Sequence, residues 1–187
     1  MKTLPLVVGL AVALAGCASG PSVRSMSDPQ ANFASYQTFG FADPLGTDRS
    51  GYRSVVSEAL KTSTRRQLEA RGFTYVAENP QLLVNFNAQL NDKMRVNTTP
   101  TSTMGMGYYG YRGRLYAPYP LYAEQTTVSE YKEGTLNIDV ADSAAKRLLW
   151  EGVVSQAVTQ KALDNVPAAL DTAVAAAFEK FPVAARP

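Results

Sequence analysis

Few residues of this 187-residue chain could carry chemistry. Cys17 is the only cysteine, and a thiol can attack an electrophile or accept an acyl group. Glu130, Glu133, Asp139 and Asp142 lie close in sequence, and paired carboxylates can do acid–base work. A third group suits contact more than reaction: Tyr108, Tyr109, Tyr111, Arg112, Arg114, Tyr116 and Tyr119. They belong to Met104–Tyr122, MGMGYYGYRGRLYAPYPLY, which holds six of the ten tyrosines. Exposed Tyr and Arg stack on sugars or on a partner's side chains.

Absences narrow the chemistry further. There is no histidine, so a His-based triad, a His general base and His metal ligands are excluded. One cysteine excludes an intrachain disulfide and any multi-Cys metal site. G-x-S-x-G does not occur, and the glycines near residue 105 lack the strand-to-helix context of a phosphate loop. Lys and Arg total 18 against 16 Asp and Glu, so the net charge of +2 leaves no footprint for nucleic acid. Asp139 falls on the polar side of a strand pattern and Asp142 in a turn, which favours solvated carboxylates over a catalytic pair. No metal, no cofactor and no enzymatic activity are expected; a carboxylate-based hydrolase is the remote alternative.

The position of Cys17 says more than its chemistry. Lys2 is followed by an apolar run from Leu4 to Leu14, broken only by Pro5 and Gly9. That is about half the length needed to cross a ~30 Å hydrocarbon core as a helix, and it fits the apolar region of an export signal. Leu14-Ala15-Gly16-Cys17 then resembles a bacterial lipobox. The resemblance implies cleavage between Gly16 and Cys17, a diacylglyceryl group on the sulfur, and acylation of the new amino group. Two or more chains make a stable anchor where one is marginal. Ala18 resembles an outer-membrane address, with the domain facing the periplasm, rather than inner-membrane retention. The competing reading is a secreted protein with a free cysteine near the cut.

The elements that must position these residues follow from periodicity. Residues 1–16 read as signal peptide, 17–30 as a lipidated flexible tether, and 31–187 as a single domain with a Tyr/Gly-rich loop at 98–123. Phe33–Phe41 reads as a strand. Tyr52–Arg71 reads as a helix, capped by Ser50 or Asp48 and ended by Gly72. Phe73–Ala77 is a short strand. Leu82, Val84, Phe86, Ala88 and Leu90 alternate with mostly polar residues as a half-buried strand. Glu124–Tyr131, then Leu136–Val140 and Leu148–Val154 are further strands, with Lys132–Gly134 as a turn. Asp164 or Asn165 caps a closing helix, with Pro167 in its first turn. The fold expected is α+β: a largely antiparallel sheet, order β-α-β-β-β-β-β-α, with two helices on one face.

The block Tyr131–Gly152, YKEGTLNIDVADSAAKRLLWEG, resembles the bacterial lipoprotein family known as domain of unknown function 4136. The matching features are Glu133-Gly134-Thr135-Leu136, Ile138-Asp139, Asp142 at the hairpin and Leu149-Trp150-Glu151-Gly152. Arg71-Gly72-Phe73 after the first helix and Phe181-Pro182 at the close also match. The resemblance implies a membrane-anchored envelope domain and supplies no catalytic residues. The expected partners are the membrane, through lipid on Cys17, and an envelope protein or glycan. The alternative is a lipid- or glycan-binding module that uses the Tyr/Gly-rich segment.

Overall fold

The computed structural model describes residues 20–48, 54–109 and 115–186. Six strands form one mixed sheet in the order β1-β6-β5-β4-β2-β3. They are β1 (Ser22–Ser27), β2 (Thr38–Phe41), β3 (Thr74–Tyr75), β4 (Leu82–Tyr109), β5 (Leu115–Asp142) and β6 (Arg147–Ala157). The helices are α1 (Val55–Glu69), α2 (Gln160–Asp164) and α3 (Val166–Phe178). Strand β2 runs parallel to β3 and β4, and every other pairing is antiparallel. The expected α+β class is the class observed.

Alternation places the core. Leu82, Val84 and Phe86 on β4 pair across the sheet with Asp142, Val140 and Ile138, and Val140 in turn pairs with Trp150. Directly opposed residues of antiparallel strands share a face. These apolar residues are buried together with Leu60 and Leu68 of α1 and Val174, Ala177 and Phe178 of α3. The indole of Trp150 lies 5.4 Å from the Phe178 ring and 5.0 Å from Phe181, centroid to centroid. Such aromatic pairs add about 0.5–1.5 kcal/mol each beyond their buried area.

The helix ends obey local rules. The Ser54 hydroxyl accepts from the backbone N–H of Ser57 and starts α1, one turn later than Ser50 or Asp48 would have. Asp48 serves the same end differently: its carboxylate accepts from the Ser57 hydroxyl at 2.5 Å. Gly72 follows α1 at φ +89°, the left-handed conformation that favours glycine. Asn165 caps α3 and proline occupies its first turn, as the sequence predicts. A short helix, α2, precedes it and was not expected.

Four boundaries differ from the sequence reading. The expected strand Phe33–Phe41 opens as a 3-10 turn over Phe33–Ser35, capped by Asn32, and only Thr38–Phe41 is strand. The expected tether at 17–30 contains strand β1, paired with β6 from Ser22↔Ser155 to Ser27↔Trp150. An outer strand can be held by its backbone ladder alone, so its side chains need show no apolar alternation, and β1 is mostly exposed. Lys132–Gly134 is no turn, because β5 runs unbroken through it. Finally, the expected loop at 98–123 is mostly strand. Residues to Tyr109 and from Leu115 continue β4 and β5 as one antiparallel ladder. Gly and Pro read as loop signals, yet proline is tolerated where a strand is an edge. Here both strands are edges.

Candidate functional site

The ladder between β4 and β5 outruns the sheet. β6 ends at Ala157, opposite Glu133. From that rung outward β4 and β5 continue as a ribbon of nineteen rungs, Asn91↔Glu133 to Tyr109↔Leu115, two-stranded beyond the first. At ~3.4 Å per residue this ribbon is about 60 Å long. A two-stranded hairpin is marginal in water unless its face is covered.

Its surface is graded along its length. Apart from Glu124, opposite Pro100, the charges of the paired arms sit in the five rungs nearest the base. Lys132 pairs with Asp92 at 2.7 Å, Lys93 with Glu133 at 3.7 Å, and the Arg95 guanidinium lies 5.2 Å from the Tyr131 ring centroid. From Val96 to Ala123 the only charged residues are Arg112 and Arg114. Large apolar side chains stand in the open: Met94, Val96, Met104, Tyr122 and Val128 are all more than half exposed. Register puts these five on one face of the ribbon, with Val96 directly opposite Val128 and Met104 diagonal to Tyr122. The same parity, carried back into the sheet, is the parity of Leu82, Val84 and Phe86.

An apolar hollow of about 120 Å³ opens where the ribbon leaves the sheet. Ala88, Leu136 and Val154 from the sheet and Leu170 and Ala173 from α3 line it. Gly134, which also lines it, pairs with exposed Leu90 at the next position along β4.

The carboxylates do not converge on one site. Asp142 is a structural cap: it accepts from the backbone N–H of Ala144 and Ala145, each at 2.8 Å, and from the Tyr36 hydroxyl at 2.8 Å. The Ala145 N–H, followed by the Tyr36 hydroxyl, holds its carboxyl below the usual range. The same bond raises the Tyr36 phenol. A cleft of about 500 Å³ lies beside this pair, lined also by Ser35, Asn79, Pro80 and Gln81. Asp139 stands opposite Glu151 on the sheet face turned away from the helices. Partial burial, and then the Glu151 charge, push the Asp139 carboxyl up. Glu151 accepts from Asn137 Nδ2 at 3.2 Å. Glu130 and Glu133 belong to the ribbon. Among the described residues there is no cluster of three or more potential metal ligands, and no helix is long and apolar enough to cross a membrane.

The sequence-predicted residues are scattered by this arrangement. Gly16, Cys17, Tyr111, Arg112 and Arg114 lie outside the described residues. The backbones of Tyr108 and Tyr109 end β4, and those of Tyr116 and Tyr119 begin β5, so all four belong to ribbon arms rather than a loop. Met94, Val96 and Val128 went unremarked in the sequence. Their alternation with Lys93, Arg95, Asn97, Thr127 and Ser129 is the signal that could have found them. Tyr36 lies within the predicted strand Phe33–Phe41, and its bond to Asp142 spans 106 positions.

A family model described as "Domain of unknown function (DUF4136)" matches residues 23–183. No curated protein matches the chain. Among solved structures, a PDZ domain protein from Parabacteroides distasonis ATCC 8503 superposes with a TM-score of 0.51 at 15% identity. The match covers 88% of this chain and 36% of that one, so this chain spans about a third of that protein's length. A PelC dodecamer from Paraburkholderia phytofirmans matches over 90% of this chain and 100% of its own, at 10% identity and a TM-score of 0.48. The first of these likenesses speaks to fold alone.

Proposed function

The chain belongs to the DUF4136 family across residues 23–183, and we propose that it works as a non-catalytic, lipid-anchored module of the bacterial envelope. Cys17 carries the acyl anchor, after cleavage at Gly16, and holds the domain at the outer membrane facing the periplasm. Its role there is interaction or envelope maintenance. The observation that carries this reading is the ribbon: nineteen rungs exposing Met94, Val96, Met104, Tyr122 and Val128 on one face. Surface of that kind, on an element that adds nothing to the domain's own core, marks a contact site. Lys2 with its apolar run and Leu14-Ala15-Gly16-Cys17 supports the anchor.

A second reading is that the tyrosine-rich arms bind lipid or glycan, favoured by six of the ten tyrosines falling in Met104–Tyr122. The partner in the first reading is an envelope protein or glycan together with the membrane; nucleic acid is not a partner. Metabolic labelling with a fatty acid, followed by membrane fractionation, tests the anchor. Wild-type protein should take the label and sediment with membranes, and Cys17→Ser should do neither. Equal membrane attachment of the two would sink the anchoring claim.

A further inference from the structure

The register of three strands fixes which way the ribbon points relative to the chain's entry. β6 ends at Ala157 opposite Glu133, at the ribbon's base. β1 runs antiparallel to β6, and its first residue, Ser22, pairs with Ser155. Ser155 pairs in turn with Thr135. The chain therefore enters the sheet at the end from which the ribbon projects, and the β5–β6 turn at Ser143–Lys146 lies at the opposite end.

Only four residues, or five Cα-to-Cα steps, lie between Cys17 and Ser22. Fully extended they span at most ~18 Å. The ribbon, at about 60 Å, is several times longer. An acyl group on Cys17 would leave the ribbon no room to stand clear of the bilayer by pointing at it. It must meet the lipid.

From this we infer that the outer part of the ribbon is a second membrane contact, seated in the headgroup and upper acyl region of the bilayer that holds the Cys17 lipid. The inference rests on the anchoring reading above. Three features of the ribbon fit that depth. The nine rungs from Thr101↔Ala123 to Tyr109↔Leu115 contain no charged residue. Their composition of Tyr, Met, Thr, Gly and Pro suits an interface, where tyrosine is enriched. The ion pairs are held back at the base, in water.

Geometry also excludes deeper and alternative seats. A single two-stranded ribbon has two open edges, which hydrocarbon cannot satisfy but headgroups and their water can. Edge pairing with a second copy is blunted on both strands, by Pro100 on β4 and by Pro118 and Pro120 on β5. The occupant is thus the lipid surface rather than a neighbouring ribbon.

The test uses full-length acylated protein in vesicles of phosphatidylethanolamine and phosphatidylglycerol. Acylation of Cys17 leaves an introduced cysteine as the only free thiol for an environment-sensitive fluorophore. Met104→Cys and Tyr122→Cys report on the ribbon face, and Ala145→Cys reports on the far end of the sheet; all three sites are exposed. Labels at 104 and 122 should shift to the blue, brighten several-fold, and lose most of that emission with lipids brominated high on the acyl chain. The label at 145 should do none of these. Two positions guard against one variant misfolding. Acylated protein whose 104 and 122 labels stay in water would overturn the ribbon contact and leave the anchor standing. The same follows if those labels become protected without vesicles, in step with protein concentration, since a second copy would then be the occupant. An intact mass showing no acyl group on the wild-type protein would overturn the anchor, and the ribbon argument with it.

Discussion

Gly152 lies against the indole of Trp150, two residues away on the same face of β6. A Cβ built on Gly152 would come within 2.8 Å of the Trp150 Cζ2. The tryptophan is fully buried, with Phe178 and Phe181 on its other sides. It cannot swing away. The Trp-x-Gly spacing is thus a packing rule: the ring folds back over its own strand, and only a residue without a side chain leaves room.

Gly152→Ala should therefore cost about 1–3 kcal/mol through overpacking, despite a gain in β-propensity. Urea unfolding checks this. A variant as stable as wild type would show that Trp150 can repack.

Arg71 ties together the C-terminal ends of both long helices. It donates to the Phe178 carbonyl at 2.8 Å, the Val183 carbonyl at 2.9 Å and the Gln67 carbonyl at 2.8 Å. Its guanidinium lies 5.3 Å from the Phe178 ring centroid. A lysine has one point charge and cannot fan its donors over three carbonyls. Arg71→Lys should lose about 2–3 kcal/mol, the scale of charged hydrogen bonds left unmade. The drop in denaturation midpoint measures it, and retention of wild-type stability would count against the three-carbonyl clamp.

Asp142 makes stability acid-sensitive. Its folded carboxyl is held below the ordinary range by the Ala145 N–H and then by the Tyr36 hydroxyl. A depressed folded value stabilises above the unfolded Asp value of ~3.9 and is lost as pH falls through the folded one. Asp142→Ala should lower the melting temperature at pH 7, and the gap from wild type should narrow below about pH 4. A gap independent of pH would mean that the carboxylate charge is not what the turn uses.

Asp139 has the opposite sign. Partial burial and then Glu151 raise its folded carboxyl, so its charged form costs stability at neutral pH. Asp139→Asn should raise the melting temperature at pH 7, and the gain should fade as pH falls through the raised folded value and be gone below the unfolded Asp value of ~3.9. A loss of stability at pH 7 would reveal a favourable partner for that carboxylate.

The ribbon should be dispensable for folding. Its outer rungs bury nothing in the core cluster. Replacing residues 97–127 by Asn-Gly, a favoured two-residue hairpin turn, keeps the Val96↔Val128 rung. The shortened protein should unfold within about 1 kcal/mol of wild type. Collapse of stability would show that the ribbon packs back on the domain.

Local features of this protein were legible from residue order. The caps and stops are set by neighbours a few positions apart: Asn165 with Ala168, the proline in the first turn of α3, and Gly72 at positive φ. The inward face of β4 followed from period-two alternation between Leu82 and Ala88, because burial on one side leaves that mark on a single strand. The α+β class was readable for the same reason, and the family from the resemblance carried by Tyr131–Gly152. Residues 1–17, read as a signal peptide ending in a lipobox, lie outside the described residues, so that reading comes from residue order alone.

What tertiary structure decided is whatever depends on a partner far along the chain. β1 is a strand only because β6 offers it a ladder more than a hundred residues later. Tyr36 bonds to Asp142 across a comparable distance. Pro100, Gly105, Gly107, Pro118 and Pro120 spell a loop to any local rule, yet pairing between β4 and β5 carries them as strand. Hydrogen-bond ladders are indifferent to side-chain periodicity, so residue order left the ribbon, and the end of the sheet it shares with the entering chain, to the fold.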